Sequence, residues 1–149
     1  MTGTILVDTN VFVYAYDRSE PVKQQQALAV LDQLIMASAG VITTQVLAES
    51  FATVTRRLRA PLSPIEAYQR LENMIRVWTV VEMTGSIVLE AARGVCDYQM
   101  AFYDAQIWAA ARLTGTDVVL TEDFNSGAVI EGVRFVNPFT PEFELADWL

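Results

Sequence analysis

Short apolar runs alternate with longer stretches of helical periodicity along the whole chain, and this alternation limits what the chain can fold into. Ile5-Leu6-Val7 is a run of three that ends directly in Asp8. Ser19-Glu20-Pro21 then opens a helix, with Leu28, Leu31, Leu34 and Ile35 read as its buried face. Gly40 stops that helix, and Val41-Ile42-Thr43 reads as a second strand. Thr44 is placed to cap the next helix, whose Leu47, Phe51, Val54 and Leu58 recur as an apolar stripe. Ser63-Pro64-Ile65-Glu66 combines a capping box with Pro at the first helical position. A third strand is expected over Val77–Val81, helices over Ser86–Met100 and Asp104–Leu113, a fourth strand at Val118-Val119-Leu120, and a fifth over Val133–Val136, closed by Asn137-Pro138. Strands separated by helices imply βαβ units. The expected fold is α/β, with a central, mostly parallel sheet of about five short strands and helices on both faces. With no repeat, low-complexity tract or Gly/Ser linker, residues 1–149 are expected to form one domain.

Composition narrows the chemistry. There is no His, so imidazole bases, Ser-His-Asp triads and His-ligated zinc are excluded. The single Cys96 can form neither an internal disulfide nor a Cys-rich metal site. With 52% hydrophobic and 19% charged residues the chain is not of the disordered class. Residues 1–75 carry six basic and seven acidic side chains, and residues 76–149 four and eleven, which together give the net charge of −8. That balance argues against a protein that coats nucleic acid, because such affinity comes mainly from neutralising phosphates. It does not exclude an enzyme that meets a phosphodiester through bound cations, and it suits a partner with a basic segment. The longest charge-free run, Gln33–Ala48, falls short of the about 20 apolar residues of a spanning helix. No basic region precedes the first apolar run, so a secretory leader is not expected, and a soluble cytoplasmic protein is the default.

Ligands of open parallel sheets bind beyond the carboxyl ends of the strands. Asp8 stands there after the first strand, followed by Thr9 and Asn10. Asp123 stands there after the fourth, behind Thr121 and Glu122. Asp104 begins a helix, where free N–H groups can steady a carboxylate, and Glu49 lies one turn into the helix after the second strand. Each acid alone also has a plain reading as a turn, cap or surface residue. Glu49 is the sharpest case. It sits about 180–200° from its helix's apolar stripe at 100° per residue, so a working Glu49 requires that outer face to line a water-filled groove. Together the four are more informative. Carboxylates are the hard oxygen donors preferred by Mg²⁺ and Mn²⁺. Without a cation, two like charges 4 Å apart repel by about 4 kcal/mol at an effective dielectric of 20.

At this point the sequence resembles the PIN-domain family and, within it, the VapC-type toxins of bacterial toxin–antitoxin pairs. The resemblance rests on Ile5–Phe12, on Gln45-Val46-Leu47-Ala48-Glu49, on Phe102-Tyr103-Asp104-Ala105 and on Leu120-Thr121-Glu122-Asp123-Phe124-Asn125, with Val129–Val133 and Asn137-Pro138-Phe139 closing it. It implies a PIN-like three-layer α/β/α fold. It also implies a Mg²⁺- or Mn²⁺-dependent endoribonuclease that hydrolyses RNA by a metal-activated water and leaves 5′-phosphate and 3′-hydroxyl ends. The metal-binding and catalytic acids implied are Asp8, Glu49, Asp104 and Asp123, taken in preference to Glu122. Thr9, Asn10 and Thr121 would orient them. The implied partners are a cognate VapB-type antitoxin, an RNA substrate and a second copy in a homodimer.

Other residues have competing readings. Arg56 lies within about 20° of the face of Glu49 and is a candidate contact for RNA or antitoxin, against a plain role at the helix C-terminus that it shares with Arg57 and Arg59. Tyr103 and Trp108 can stack on a base or serve the core. Cys96 reads as a small buried hydrophobe, and Asp97 as a solvent-facing acid. The helix of Ala105–Ala111 is apolar nearly all round and is expected to be central. A phosphotransfer domain with Asp8 as acceptor is an alternative. However, Asp8-Thr9-Asn10-Val11-Phe12 lacks the second Asp of the dehalogenase pattern, and the only lysine, Lys23, lies in a stretch read as solvent-facing. A PIN fold kept as a catalytically silent binding module is the third possibility.

Overall fold

Six short strands form one sheet, and the order in which the chain adds strands reverses near its middle. The computed structural model describes residues 3–149. Its elements are β1 (Ile5–Val7), α1 (Thr9–Ala15), α2 (Pro21–Met36), β2 (Gly40–Thr43), α3 (Thr44–Arg56), α4 (Pro64–Val77), β3 (Thr79–Val81), α5 (Gly85–Tyr98), α6 (Phe102–Thr114), β4 (Val118–Leu120), β5 (Val129–Ile130) and β6 (Val133–Val136). In the sheet order β3-β2-β1-β4-β6-β5 the strands β1, β2, β3, β4 and β6 are parallel, and helices cover the sheet in a three-layer α/β/α arrangement. The sixth strand, β5, has two residues and pairs antiparallel with β6, so it is too short to announce itself as an apolar run.

Burial explains why β1 is central. Ile5, Leu6 and Val7 are fully buried, as strands covered on both faces require. Val7 is in register with Leu120, and the backbone N–H of Asp8 donates to Leu120 O at 3.0 Å. The carboxyl ends of β1 and β4 therefore lie side by side at the switch point, where such sheets bind ligands. α6 is the central helix: Ala105 through Ala111 are all buried, and Trp108 is fully enclosed, donating its Nε1–H to Ile130 O at 3.1 Å. α5 closes onto it at Gly94, where a Cβ would stand 2.8 Å from the Trp108 ring.

Several local expectations are corrected. α1 starts immediately at Thr9 with Asp8 as its N-cap, a helix too short for periodicity to reveal. Thr43 caps α3 by accepting from the Val46 N–H, while the Thr44 hydroxyl accepts from the Met83 N–H instead. β3 begins at Thr79 because Val77 still belongs to α4. α2 ends before Gly40, with Ser38 in the left-handed region. Gly40 opens β2, where a Cβ would collide with the Trp78 ring. The buried face of α2 is Ala27, Val30, Leu31 and Leu34. Leu28 and Ile35 are exposed and line an apolar groove of about 660 Å³ with Phe12, Met74 and Trp78. Leu58 is buried as expected but lies beyond the end of α3. Cys96 is exposed, since α5 buries Ile87, Ala91 and Gly94, a face that excludes position 96. Among the described residues, no helix is long and apolar enough to cross a membrane.

Candidate functional site

Asp8, at the end of the central strand, is buried at 6% exposure. Both of its oxygens are occupied: Oδ1 accepts from the Thr9 N–H at 2.7 Å and Oδ2 from the Thr121 hydroxyl at 2.8 Å. Each oxygen keeps lone-pair capacity for a further partner, and the carboxylate cannot rotate without breaking a bond. Thr9 also reaches the far wall, where its hydroxyl donates to Glu49 Oε2 at 2.9 Å. Asn10 spans to the β4 side. Its Nδ2 donates to Thr121 Oγ1 at 3.3 Å, and its Oδ1 accepts from the Glu122 N–H at 3.3 Å.

Asp104 stands in the first turn of α6. The N-cap there is Ala101, which has no side chain to satisfy the free N–H groups, and an acid in that turn complements them. Asp123 is carried out to the cleft by the turn after β4, where its N–H donates to Thr121 Oγ1 at 3.1 Å. One carboxylate oxygen from each of Asp8, Asp104 and Asp123 lies within 4.8 Å of the others. Three elements distant in sequence thus deliver three acids to one point.

The cluster is electrostatically uncomfortable. Burial is the main cause that pushes the Asp8 pKa up from 3.8 to about 6. The charges of Asp123 and Asp104 push the same way, against the hydrogen bonds from Thr121 and Thr9. Asp104 is also raised, first by burial and then by the charges of Asp123 and Glu49. A cation between them would favour the charged carboxylates and so offset the shift in both cases. The donor set, hard oxygens converging without a basic side chain among them, suits a divalent ion of the Mg²⁺ or Mn²⁺ type.

Glu49 does not join the three-acid group. It lies on the wall of the same open cleft, about 470 Å³ in volume, half-exposed and held by Thr9 and by Gln45 Nε2 at 3.0 Å. The outer face of α3 therefore does line a groove, and its lining residues Gln45, Glu49, Thr53 and Arg57 form an i, i+4, i+8, i+12 row. Such rows run obliquely along a helix. That is why Arg57, the C-cap of α3, meets the cleft, while Arg56 is exposed and outside the lining. Tyr103 stands on the rim at 67% exposure, whereas Trp108 is core. Asp97 faces solvent and pairs with Arg93.

Three cleft or near-cleft side chains escape the sequence reading. Gln45 had a signal, because it is one turn before Glu49 on the same row. Tyr14 and Lys23 had none, since their partner is Glu122, 108 and 99 residues away. Glu122 turns away from the acid cluster towards both of them. Lys23 is half-buried in this pairing rather than free in solvent.

The PIN-domain family model matches residues 5–129. Among solved structures, a toxin–antitoxin complex from Klebsiella pneumoniae is similar with a TM-score of 0.65 and 18% identity, over 91% of this chain and 98% of that one. A DNA-bound VapBC from Salmonella typhimurium gives 0.67 and 16%, over 92% and 99%. A VapC toxin from Mycobacterium tuberculosis that cleaves the sarcin–ricin loop gives 0.59 and 20%, over 88% and 99%. At such identities the likeness is one of fold. No curated protein sequence matches the chain.

Proposed function

The chain belongs to the PIN-domain family, and on that premise we propose that it is a Mg²⁺- or Mn²⁺-dependent endoribonuclease, the toxin of a VapBC-type pair. The observation that carries the reading is the convergence of the Asp8, Asp104 and Asp123 oxygens within 4.8 Å. These three would hold the ion, and Glu49, outside their group on the wall of the same cleft, would be the fourth acid of the site. A divalent ion there supplies Lewis acidity, lowering the pKa of a water and offsetting charge on the phosphoryl oxygens.

The chain's own residues do the rest. Thr9 and Thr121 fix the Asp8 carboxylate from both sides, so that its orientation is set before any ligand arrives. Thr9 couples Asp8 to Glu49, and Gln45 steadies Glu49 from one turn earlier. Asn10 ties the turn carrying Asp123 to the start of α1. Arg57 supplies positive charge on a wall otherwise rich in acids, where an RNA backbone would pass. Arg56, exposed one residue earlier, remains available to RNA or to a partner. The Klebsiella and Salmonella neighbours are toxin–antitoxin complexes, and the net charge of −8 suits a VapB-type antitoxin with a basic segment over the cleft. A cytoplasmic homodimer formed by a single domain completes the reading.

The phosphotransfer alternative is weakened by the pairing of the sole lysine with Glu122 and Tyr14, away from Asp8. The test is cleavage of total RNA with end mapping. The expected result is Mn²⁺-dependent cutting that leaves 5′-phosphate and 3′-hydroxyl ends. Undiminished cutting in excess chelator, or stable phosphorylation of Asp8, would overturn the reading. A protein that neither cuts RNA nor takes up Mn²⁺ in calorimetry would be the silent binding module.

A further inference from the structure

Asp123 differs from Asp8 in how it is held. Its side chain is exposed and, among the described residues, its carboxylate accepts no hydrogen bond. Its place in the cluster therefore depends on the backbone of the turn Thr121–Asp123. That backbone has three ties: Thr121 N–H to Val136 O at 3.0 Å, Glu122 N–H to Asn10 Oδ1 at 3.3 Å, and Asp123 N–H to Thr121 Oγ1 at 3.1 Å. Only the first belongs to the sheet.

The strongest contacts to the turn come through the Glu122 side chain. Tyr14 of α1 donates its hydroxyl to Oε1 at 2.8 Å, and Lys23 of α2 donates Nζ–H to Oε2 at 2.5 Å. Lys23 also lies 3.3 Å from the Tyr14 hydroxyl oxygen and 4.7 Å from the centre of that ring, which packs edge-on to Phe139 at 5.0 Å. A charge-assisted pair that is half-buried and braced by aromatic rings is stiffer than an exposed ion pair. It also occupies the carboxylate next to Asp123 in sequence, which would otherwise be free to swing towards the acids.

We propose that Tyr14, Lys23 and Glu122 form a positioning clamp that fixes the turn bearing Asp123 and so sets how tightly the acid cluster holds a divalent cation. The proposal rests on the reading that the cluster binds such an ion. Charge alone argues in the opposite direction, because a lysine near several acids opposes cation binding. Position and charge therefore predict opposite signs when the lysine is removed.

The experiment is Mn²⁺ titration by calorimetry on the wild type, Lys23→Met, Lys23→Arg and the charge-neutral Tyr14→Phe, with amide hydrogen exchange on the same proteins. The clamp predicts about tenfold weaker Mn²⁺ binding in Lys23→Met, the scale expected for a residue that orients a ligand. It predicts a smaller weakening in Tyr14→Phe and near wild-type binding in Lys23→Arg. Amides of Glu122, Asp123 and Phe124 exchange faster in Lys23→Met, while those of Leu6 and Val119 do not, which separates a loosened turn from a destabilised protein. Tighter or unchanged Mn²⁺ binding in Lys23→Met overturns the clamp. If that variant does not fold, Tyr14→Phe decides: weaker binding supports the clamp and unchanged binding overturns it. A wild type that takes up no Mn²⁺ overturns the metal reading and the clamp with it, whereas a binding wild type with indifferent variants overturns the clamp alone.

Discussion

Two regions of this molecule gather carboxylates, and only one of them neutralises its own. On the outer side of α5, Glu90, Asp97 and Glu131 surround Arg93, with Asp97 at 3.0 Å and Glu131 at 2.9 Å, and Arg112 stands 3.4 Å from Glu90. Burial would raise Glu90, but the hydrogen bond from Arg93 and the nearby Arg112 guanidinium hold it below its ordinary value. Glu131 is held low by the Tyr98 hydroxyl and, against a cost of burial, by Arg93. At the carboxyl ends of β1 and β4 the acids face one another without a lysine or arginine among them, and Asp8 and Asp104 are raised. Acids satisfied within the chain fasten one element to another, here α5 to the β5–β6 hairpin. Acids without a basic partner at a ligand-binding position are the arrangement that a cation from outside would neutralise.

The largest expected effect separates the two regions by activity. On the proposed function, Asp8→Asn or Asp104→Asn should lower metal-dependent RNA cleavage at least about a hundredfold, since each removes a charge that would hold the ion. Glu131→Gln should leave the cleavage rate unchanged. Full activity in either Asn variant would break the comparison.

Proton linkage sharpens it further. The folded pKa of Asp8, about 6, lies above the ordinary 3.8. In metal-free protein its contribution to stability is therefore full below about pH 4 and is lost as pH rises through 6, by about 3 kcal/mol in all. Glu90 and Glu131 have the opposite sign. Their lowered values stabilise the fold above the ordinary glutamate pKa, and that stability is lost as pH falls through the folded values. Thermal melts without metal should show a wild-type decline between pH 4 and 6.5 that Asp8→Asn removes. At neutral pH that variant should melt higher than the wild type. Equal slopes in the two proteins would remove the case for a strained Asp8.

Metal should close the gap. A cation at a hundredfold excess over its dissociation constant stabilises the folded state by about 2.7 kcal/mol. Mg²⁺ is expected to raise the wild-type melting temperature and to have little effect on Asp8→Asn or Asp104→Asn. A wild-type melting curve indifferent to 0–20 mM Mg²⁺ (on the order of a hundredfold excess over a sub-millimolar site) would count against the site. The smallest effect is expected for Arg93→Ala, which breaks the exposed network on α5. It should lower the melting temperature slightly, in a salt-sensitive way, with Mn²⁺ affinity unchanged.

The site is partly legible in the sequence. Asp8 follows the first buried strand directly and Asp123 the fourth by two residues, so the rule about carboxyl ends pointed to both. Asp104 was readable as an acid at the start of a helix. Glu49 was not decidable from periodicity, which gives a residue's angle from its own helix's buried stripe and nothing about what stands opposite. The same limit misplaced Leu28 and Ile35, which face a groove, and Cys96, which faces out.

What the sequence by itself determined is local: the alternation of strands and helices, the N-cap at Ser63, the centrality of α6, and the absence of any His. These depend on the period and type of neighbouring residues. The adjacency of β1 and β4, the closeness of three acids drawn from positions 8, 104 and 123, and the pairing of Lys23 with Glu122 were decided only by the tertiary structure. They depend on which strands neighbour each other in the sheet. That order follows from burying every helix face at once, a condition no short window of sequence contains.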